Sequence, residues 1–105
     1  LSKAVSDISL QPGMIVSNEP GYYRDKEFGI RIENLVLVKK SKIKNFCEFK
    51  TLSLFPYEKK LINEHLLSND QIKWINNYHK NVYEKLNPYL EDKHRLWLFN
   101  KTKTI

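Results

Sequence analysis

The sequence is poor in the residues that staple, hinge or span. Of its 105 residues, one is cysteine, three are glycine and four are proline. With Cys47 alone, no intrachain disulfide can form, which excludes a disulfide-stapled scaffold. Mean hydropathy is -0.57, and no apolar run approaches the roughly 18 residues a membrane span needs, which excludes a membrane-spanning helix. The opening stretch LSKAVSDIS lacks the apolar h-region of a secretory signal. The chain does not open with Met, so residue 1 is read as lying inside a longer gene product. Disorder is excluded by what is present, since 41% of residues are hydrophobic and 12% aromatic. The length suits one domain with one core. These features lead us to expect a cytoplasmic domain with no membrane contact, carved from something larger.

Carboxylates are the scarcer charge. Lys and Arg total 18 against 12 Asp and Glu, giving a formal charge of +6. Only three of the 18 are arginine, the usual reader of bases and bidentate partner of phosphate. Residues 39–60 hold seven lysines against Glu48 and Glu58, so five of the six net charges sit in one stretch. The densest part, Lys39 to Lys44, lies between two strand-like segments, where a solvated turn is expected. No nucleic-acid partner is therefore expected.

Two Pro-Gly pairs, Pro12-Gly13 and Pro20-Gly21, punctuate the first quarter as turns. Met14-Ile15-Val16 between them reads as a short strand. Residues 29–39 (GIRIENLVLVK) carry Ile30, Ile32, Val36 and Val38 toward one face and Leu35 and Leu37 toward the other, beside Arg31 and Glu33. A strand apolar on both faces is expected to be buried. Residues 46–55 form a third strand candidate, stopped by Pro56. The period then changes. Ser68 and Gln71 have capping-box spacing, and Ile72, Ile75, His79, Val82 and Leu86 form one stripe of a helix. Asn87-Pro88 is expected to open a second helix bearing Leu90, Leu96, Trp97 and Leu98. The order is α+β, strands first.

Glu19 and Glu33 are the unusual residues. Glu33 falls in the strand expected to be buried, and an ionised carboxylate there needs a cation or several hydrogen bonds. Glu19 precedes Pro20-Gly21, a pair suited to the centre of a type II turn. If residues 14–18 and 29–39 pair antiparallel, the intervening loop is centred near Lys26. Positions 19 and 33 are then equidistant from that centre and face each other. Opposed like charges destabilise a strand pair, whereas a divalent cation between two carboxylates reverses the sign. Arg31 could orient the carboxylates from outside the ligand shell. A structural Glu33–Arg31 ion pair with Glu19 free in a turn satisfies the same spacing.

The stretches SNEPGYY (17–23) and FGIRIENLVLV (28–38) closely resemble the C-terminal portion of the Xaa-Pro aminopeptidases, within the pita-bread metallopeptidases. That family pairs a Glu in an N/D-E-P-G segment with a second Glu in a G-x-R-x-E-N/D strand. The resemblance continues through FKTLSLFP (49–56) and WINNYH (74–79), in the manner of the long forms with a helical C-terminal extension.

The resemblance implies a pita-bread catalytic-domain portion over residues 1–45. Residues 46–105, a last strand plus helices, would form the extension. It implies two divalent metal ions, usually manganese with zinc or cobalt as alternatives, with Glu19 binding one and Glu33 bridging both. The remaining ligands, two Asp and a His, would come from the rest of the same polypeptide. Arg31 and Tyr23 match positions supporting the reacting centre, and Glu19 also matches a proton-shuttling residue. The implied activity removes the N-terminal residue of peptides with proline second, by metal-activated water attack. The implied assembly is a homodimer. A chain without the upstream ligands would be inactive alone. A metal-free homologue serving as a protein-binding module is the alternative. His65, His79 and His94 lie outside any metal motif, His79 on a helix face and the others at the surface. Cys47 reads as a small buried hydrophobe, and Trp74 and Trp97 as packing residues.

Overall fold

The computed structural model describes residues 7–105. The first six residues, part of the stretch read above for a signal sequence, lie outside the described residues. The chain forms two compact units that meet between Ser53 and Leu54.

The first unit opens with a turn over Gln11 to Met14. The Met14 amide donates to the Gln11 carbonyl at 3.1 Å, and Gly13 has φ of 97°. Proline followed by a positive-φ glycine is the type II pattern. Five strands follow: β1 (Ile15–Asn18), β2 (Gly21–Arg24), β3 (Phe28–Arg31), β4 (Asn34–Lys40) and β5 (Cys47–Thr51). β1, β4 and β5 form an antiparallel sheet in the order β1-β4-β5, and β2 and β3 form a separate hairpin.

One register runs through both. Ser17 faces Leu35 and Asn18 faces Asn34 in the sheet, while Gly21 faces Arg31 and Tyr23 faces Gly29 in the hairpin. The Ile32 amide donates to the Pro20 carbonyl at 3.1 Å and carries that register across the gap. Pro20 has no N–H to return, so the ladder is interrupted there. The expected turn at Pro20-Gly21 is thus absent, with Gly21 opening a strand. The reversal comes at Asp25–Glu27, where the Glu27 amide donates to Arg24 at 3.0 Å and Lys26 takes a φ of 57°. The loop centre is the one expected.

The segment read as a single doubly buried strand is two strands, and only one face of one is covered. Asn34, Val36 and Val38 are buried, whereas Leu35 is exposed and Leu37 half-buried. All of β3 is exposed, as are Ile32 and Glu33. Each buried valine contributes about 1.5–3 kcal/mol of hydrophobic stabilisation. The lysine run forms the β4–β5 turn, closed by the Ser41 amide on the Phe46 carbonyl at 2.9 Å, with Asn45 at a φ of 68°. Glu48 pairs with Lys39 across the strands at 2.7 Å. β5 ends at Thr51 and is hydrogen-bonded into the first unit's sheet. Cys47, read as buried, is exposed at the start of β5.

The second unit is built on α1 (Asn69–Leu86) and α2 (Asp92–Lys101). Ser68 caps α1 with both halves of the capping box formed, satisfying two otherwise orphaned amides. Ile75, Tyr78, His79 and Val82 are its buried residues. α2 begins later than expected. Asn87-Pro88 makes a single 3-10 turn, after which Leu90 turns extended (φ -105°, ψ 147°) and Glu91 becomes the N-cap. Of the apolar residues expected on this helix, Leu98 is buried, Leu96 and Trp97 are exposed, and Leu90 lies outside it.

Tyr78, Val82 and Leu98 form the core, covered by Leu54, Tyr57, Tyr83, Leu86 and Leu90. The extended segment 54–58 is fastened to α1 by side chains. The Tyr78 hydroxyl donates to the Phe55 carbonyl at 2.8 Å and accepts from the Phe55 amide at 3.3 Å. The Tyr57 amide donates to His79 Nε2 at 3.1 Å. Trp74 stacks on Tyr78 and Trp97 tilts against Phe55, so both tryptophans pack. Among the described residues, no helix is long and apolar enough to cross a membrane.

Candidate metal and reaction site

The shared register places a row of odd-numbered residues on one face of β1–β4 and the β2–β3 hairpin. Its rungs are Ser17 opposite Leu35, Gly21 opposite Arg31, and Tyr23 opposite Gly29. Glu19 and Glu33 lie in the interruption between these rungs, where the same register, extended past the Ile32–Pro20 hydrogen bond, makes them counterparts. Both carboxylates act electrostatically on Arg31.

Neighbouring rungs carry the groups that hold them. Arg31 Nε donates to the Tyr23 hydroxyl at 2.6 Å and lies 3.8 Å from Glu19 Oε2. The Arg31 guanidinium also sits 5.5 Å from the Tyr23 ring centroid, within cation–π range. The hydrogen bond to Tyr23 raises the Arg31 pKa above its ordinary value, and the Glu19 and Glu33 charges reinforce this against desolvation. Arg31 is thus a permanent cation facing both carboxylates. The Glu19–Arg31 pair is exposed on both sides, and exposed pairs contribute little to stability.

Two glycines make the arrangement possible. A Cβ at Gly29 would lie 2.8 Å from Cδ1 and 3.0 Å from Cε1 of Tyr23. A Cβ at Gly21 would lie 3.0 Å from Arg31 Cγ and 3.0 Å from the Tyr23 hydroxyl. Each large polar side chain thus lies over the glycine opposite it, and the two meet along the diagonal. Neither glycine needs a positive φ, so space alone selects them. The sequence suggested a turn role for Gly21 and none for Gly29 or for Ser17, whose hydroxyl donates to Glu19 Oε1 at 2.9 Å. The signal was there in the alternation of small and large residues across the rungs, once the loop centre was fixed.

The donors suit a hard divalent cation: two exposed carboxylates, with Glu19 oriented by Ser17. They are an incomplete set. Among the described residues, no three His, Cys, Asp or Glu side chains gather as a metal site. His65 and His94 are exposed, and His79 is buried in the second unit.

The model for metallopeptidase family M24 matches residues 1–40, and that for the C-terminal region of peptidase M24 matches residues 45–105. The chain belongs to this metallopeptidase family, and the expected C-terminal portion of a pita-bread fold, with its helical extension, is the fold found. Aminopeptidase P2 of Arabidopsis thaliana is 45% identical over 103 residues, covering 91% of this chain and 14% of its own length. A probable Xaa-Pro aminopeptidase P of Coprinopsis cinerea is 43% identical, covering 97% of this chain and 18% of its own length. The crystal structure of X-prolyl aminopeptidase from Caenorhabditis elegans superposes with a TM-score of 0.79 at 30% identity, covering 91% of this chain and 17% of that one. It is described as a cytosolic enzyme with a di-nuclear active site. The chain spans less than a fifth of the length of these relatives.

Proposed function

We propose that this chain supplies two of the metal ligands, and the groups supporting them, of a cytoplasmic Xaa-Pro aminopeptidase. The observation that carries the reading is Arg31, hydrogen-bonded to Tyr23 and acted on by both Glu19 and Glu33, in a chain of this family. The names of the relatives support the substrate class, and the description of the nematode enzyme supports two metals and a cytosolic location. Residues 1–45 would be the end of the catalytic domain and residues 46–105 its extension, in a homodimer. Two Asp and a His from the rest of the polypeptide would complete the ligand set, so this chain alone would be inactive.

The chemistry supplied by divalent ions bound there, manganese first among the candidates, is activation of water and polarisation of the scissile carbonyl. Glu33 would bridge the two ions and Glu19 would bind one. With metal bound, the Glu19 carboxylate would also be placed to accept and pass on a proton. Arg31 holds compensating positive charge at the rim. Because Arg31 Nε donates into the Tyr23 oxygen, the Tyr23 O–H is left to donate outward, toward oxygen that gains charge as the peptide bond is attacked.

The test is Mn²⁺-dependent release of the N-terminal residue from Arg-Pro-Pro by the full-length protein, with Arg-Ala-Pro as control. Cleavage of the first alone is expected. Cleavage of neither, with no metal bound, would replace this reading with the metal-free binding homologue.

A second expectation concerns Gly29→Ala. The added methyl must push the Tyr23 ring from 2.8 Å to at least an ordinary 3.4 Å contact, which strains its bond to Arg31. A misplacement of about 1 Å at a reacting group costs about 100-fold in turnover, so this smaller shift should cost about 10-fold. Steady-state kinetics of the full-length enzyme should show that loss in kcat, with metal content unchanged.

A further inference from the structure

The two oxygens of Glu19 have different partners. Ser17 and Glu19 sit two residues apart on the same strand face, and the Ser17 hydroxyl donates to Oε1 at 2.9 Å. Oε2 is turned toward Arg31 but stops 3.8 Å from Nε, whose proton is already given to the Tyr23 hydroxyl at 2.6 Å. A glutamate's terminal torsion is broad and roughly two-fold, so the carboxylate has little rotational preference of its own. Guanidinium and carboxylate close readily into a bidentate pair when nothing holds them apart. A Glu19 closed in that way onto Arg31 would have both oxygens occupied and would be lost as a ligand.

We propose that Ser17 is a positioning residue: its hydroxyl anchors Glu19 Oε1 and keeps the carboxylate from collapsing onto Arg31, so that Glu19 stays in the orientation a metal ion requires. The inference rests on the metallopeptidase reading above and adds to it a residue that acts through Glu19. Half-buried Ser17 holds the carboxylate of the exposed Glu19 from the strand below it, and its rung partner Leu35 is apolar. Threonine, a better strand former with the same hydroxyl, should serve equally well, whereas alanine should not.

The experiment uses the full-length protein stripped of metal and titrated calorimetrically with MnCl₂, as wild type, Ser17→Ala and Ser17→Thr. Removing a hydrogen bond that orients a ligand typically weakens metal binding by about 10–100-fold. That loss is expected in Ser17→Ala, with Ser17→Thr restoring the wild-type isotherm and all three proteins sharing one thermal midpoint. If wild type binds manganese and Ser17→Ala binds it equally, the positioning role is overturned while the metallopeptidase reading stands. Equal losses in the alanine and threonine variants would also overturn it, since the hydroxyl would then not be the cause. Wild type taking up no manganese would overturn both readings together.

Discussion

Glu33→Gln in the full-length enzyme is expected to abolish bound manganese and peptidase activity together. The substitution keeps the side chain's shape and removes its charge, and a carboxamide is a poor bridge between two cations. Losing the several kcal/mol that metal polarisation supplies corresponds to about a thousandfold or more in turnover of Arg-Pro-Pro. The stability of the metal-free protein should move the other way. Glu33 becomes the counterpart of Glu19 when the register is extended through the interruption, and opposed like charges are destabilising, so neutralising one should leave the apo protein as stable or more so. That sign separates the metal-ligand reading from the structural one. Were Glu33 present to satisfy Arg31 as an ion pair, glutamine would lower apo stability and leave metal uptake intact. Metal content after gel filtration and the apo thermal midpoint decide between them. Full occupancy in the variant would sink the assignment.

The register on either side of the two carboxylates was legible because a hairpin obeys a simple sum. Once the loop is centred near Lys26, every antiparallel partner follows, and the same sum holds on both sides of the interruption. What the sum could not give was the path at Pro20-Gly21. The dipeptide has the same composition as Pro12-Gly13, yet only Gly13 adopts a positive φ. Gly21 is held extended by pairing with Arg31, a long-range constraint that overrides the local turn preference. The Tyr23–Arg31 bond was hidden for a related reason. Both residues were singled out separately, but their contact is diagonal and depends on Gly21 and Gly29 leaving room.

Burial was the least legible property. The apolar residues of the GIRIENLVLVK segment imply cover on both faces, and along Asn34–Val38 the alternation does appear, with the even positions buried. Ile30 and Ile32 are nonetheless exposed. A side chain's hydrophobicity reports what it would gain by burial, while its exposure depends on which segments lie against it. The helical half shows the same division. A capping box and an apolar stripe, both local signals, placed α1 correctly. Asn87-Pro88 is a local signal too, but the extended backbone at Leu90 separates it from α2. The face of His79 could be read from helical spacing. Its acceptor role could not, because the donor, Tyr57, lies 22 residues away in sequence.

That acceptor role predicts acid sensitivity in the second unit. His79 is fully buried, and accepting from the Tyr57 amide fixes Nε2 as the unprotonated nitrogen. Desolvation lowers its pKa first, and the Lys59 ammonium lowers it further, against a small opposing effect of the Lys103 carbonyl. The rings of Tyr57 and Tyr78 pack beside it and bring no negative charge at neutral pH. A histidine depressed in the folded state binds its proton more tightly when unfolded, so its contribution is complete above the ordinary value of about 6.5. It is lost progressively as pH falls from there toward the depressed folded value, by at most about 1.4 kcal/mol per pH unit. Protonation also removes the acceptor and leaves the Tyr57 amide unpaired. Hydrogen-exchange protection of that amide, corrected for intrinsic rate, should therefore fall between pH 7.5 and pH 5.5 by up to about tenfold per unit below 6.5. His79→Gln retains an acceptor near Nε2 and cannot titrate, so its protection should be lower at pH 7.5 but flat with pH. His79→Phe, which strands the amide, should cost about 1–3 kcal/mol at neutral pH, and less below about 6.5, where the wild type loses the same acceptor. A wild-type protection factor at Tyr57 that does not change across this range would show that His79 is not the titrating latch.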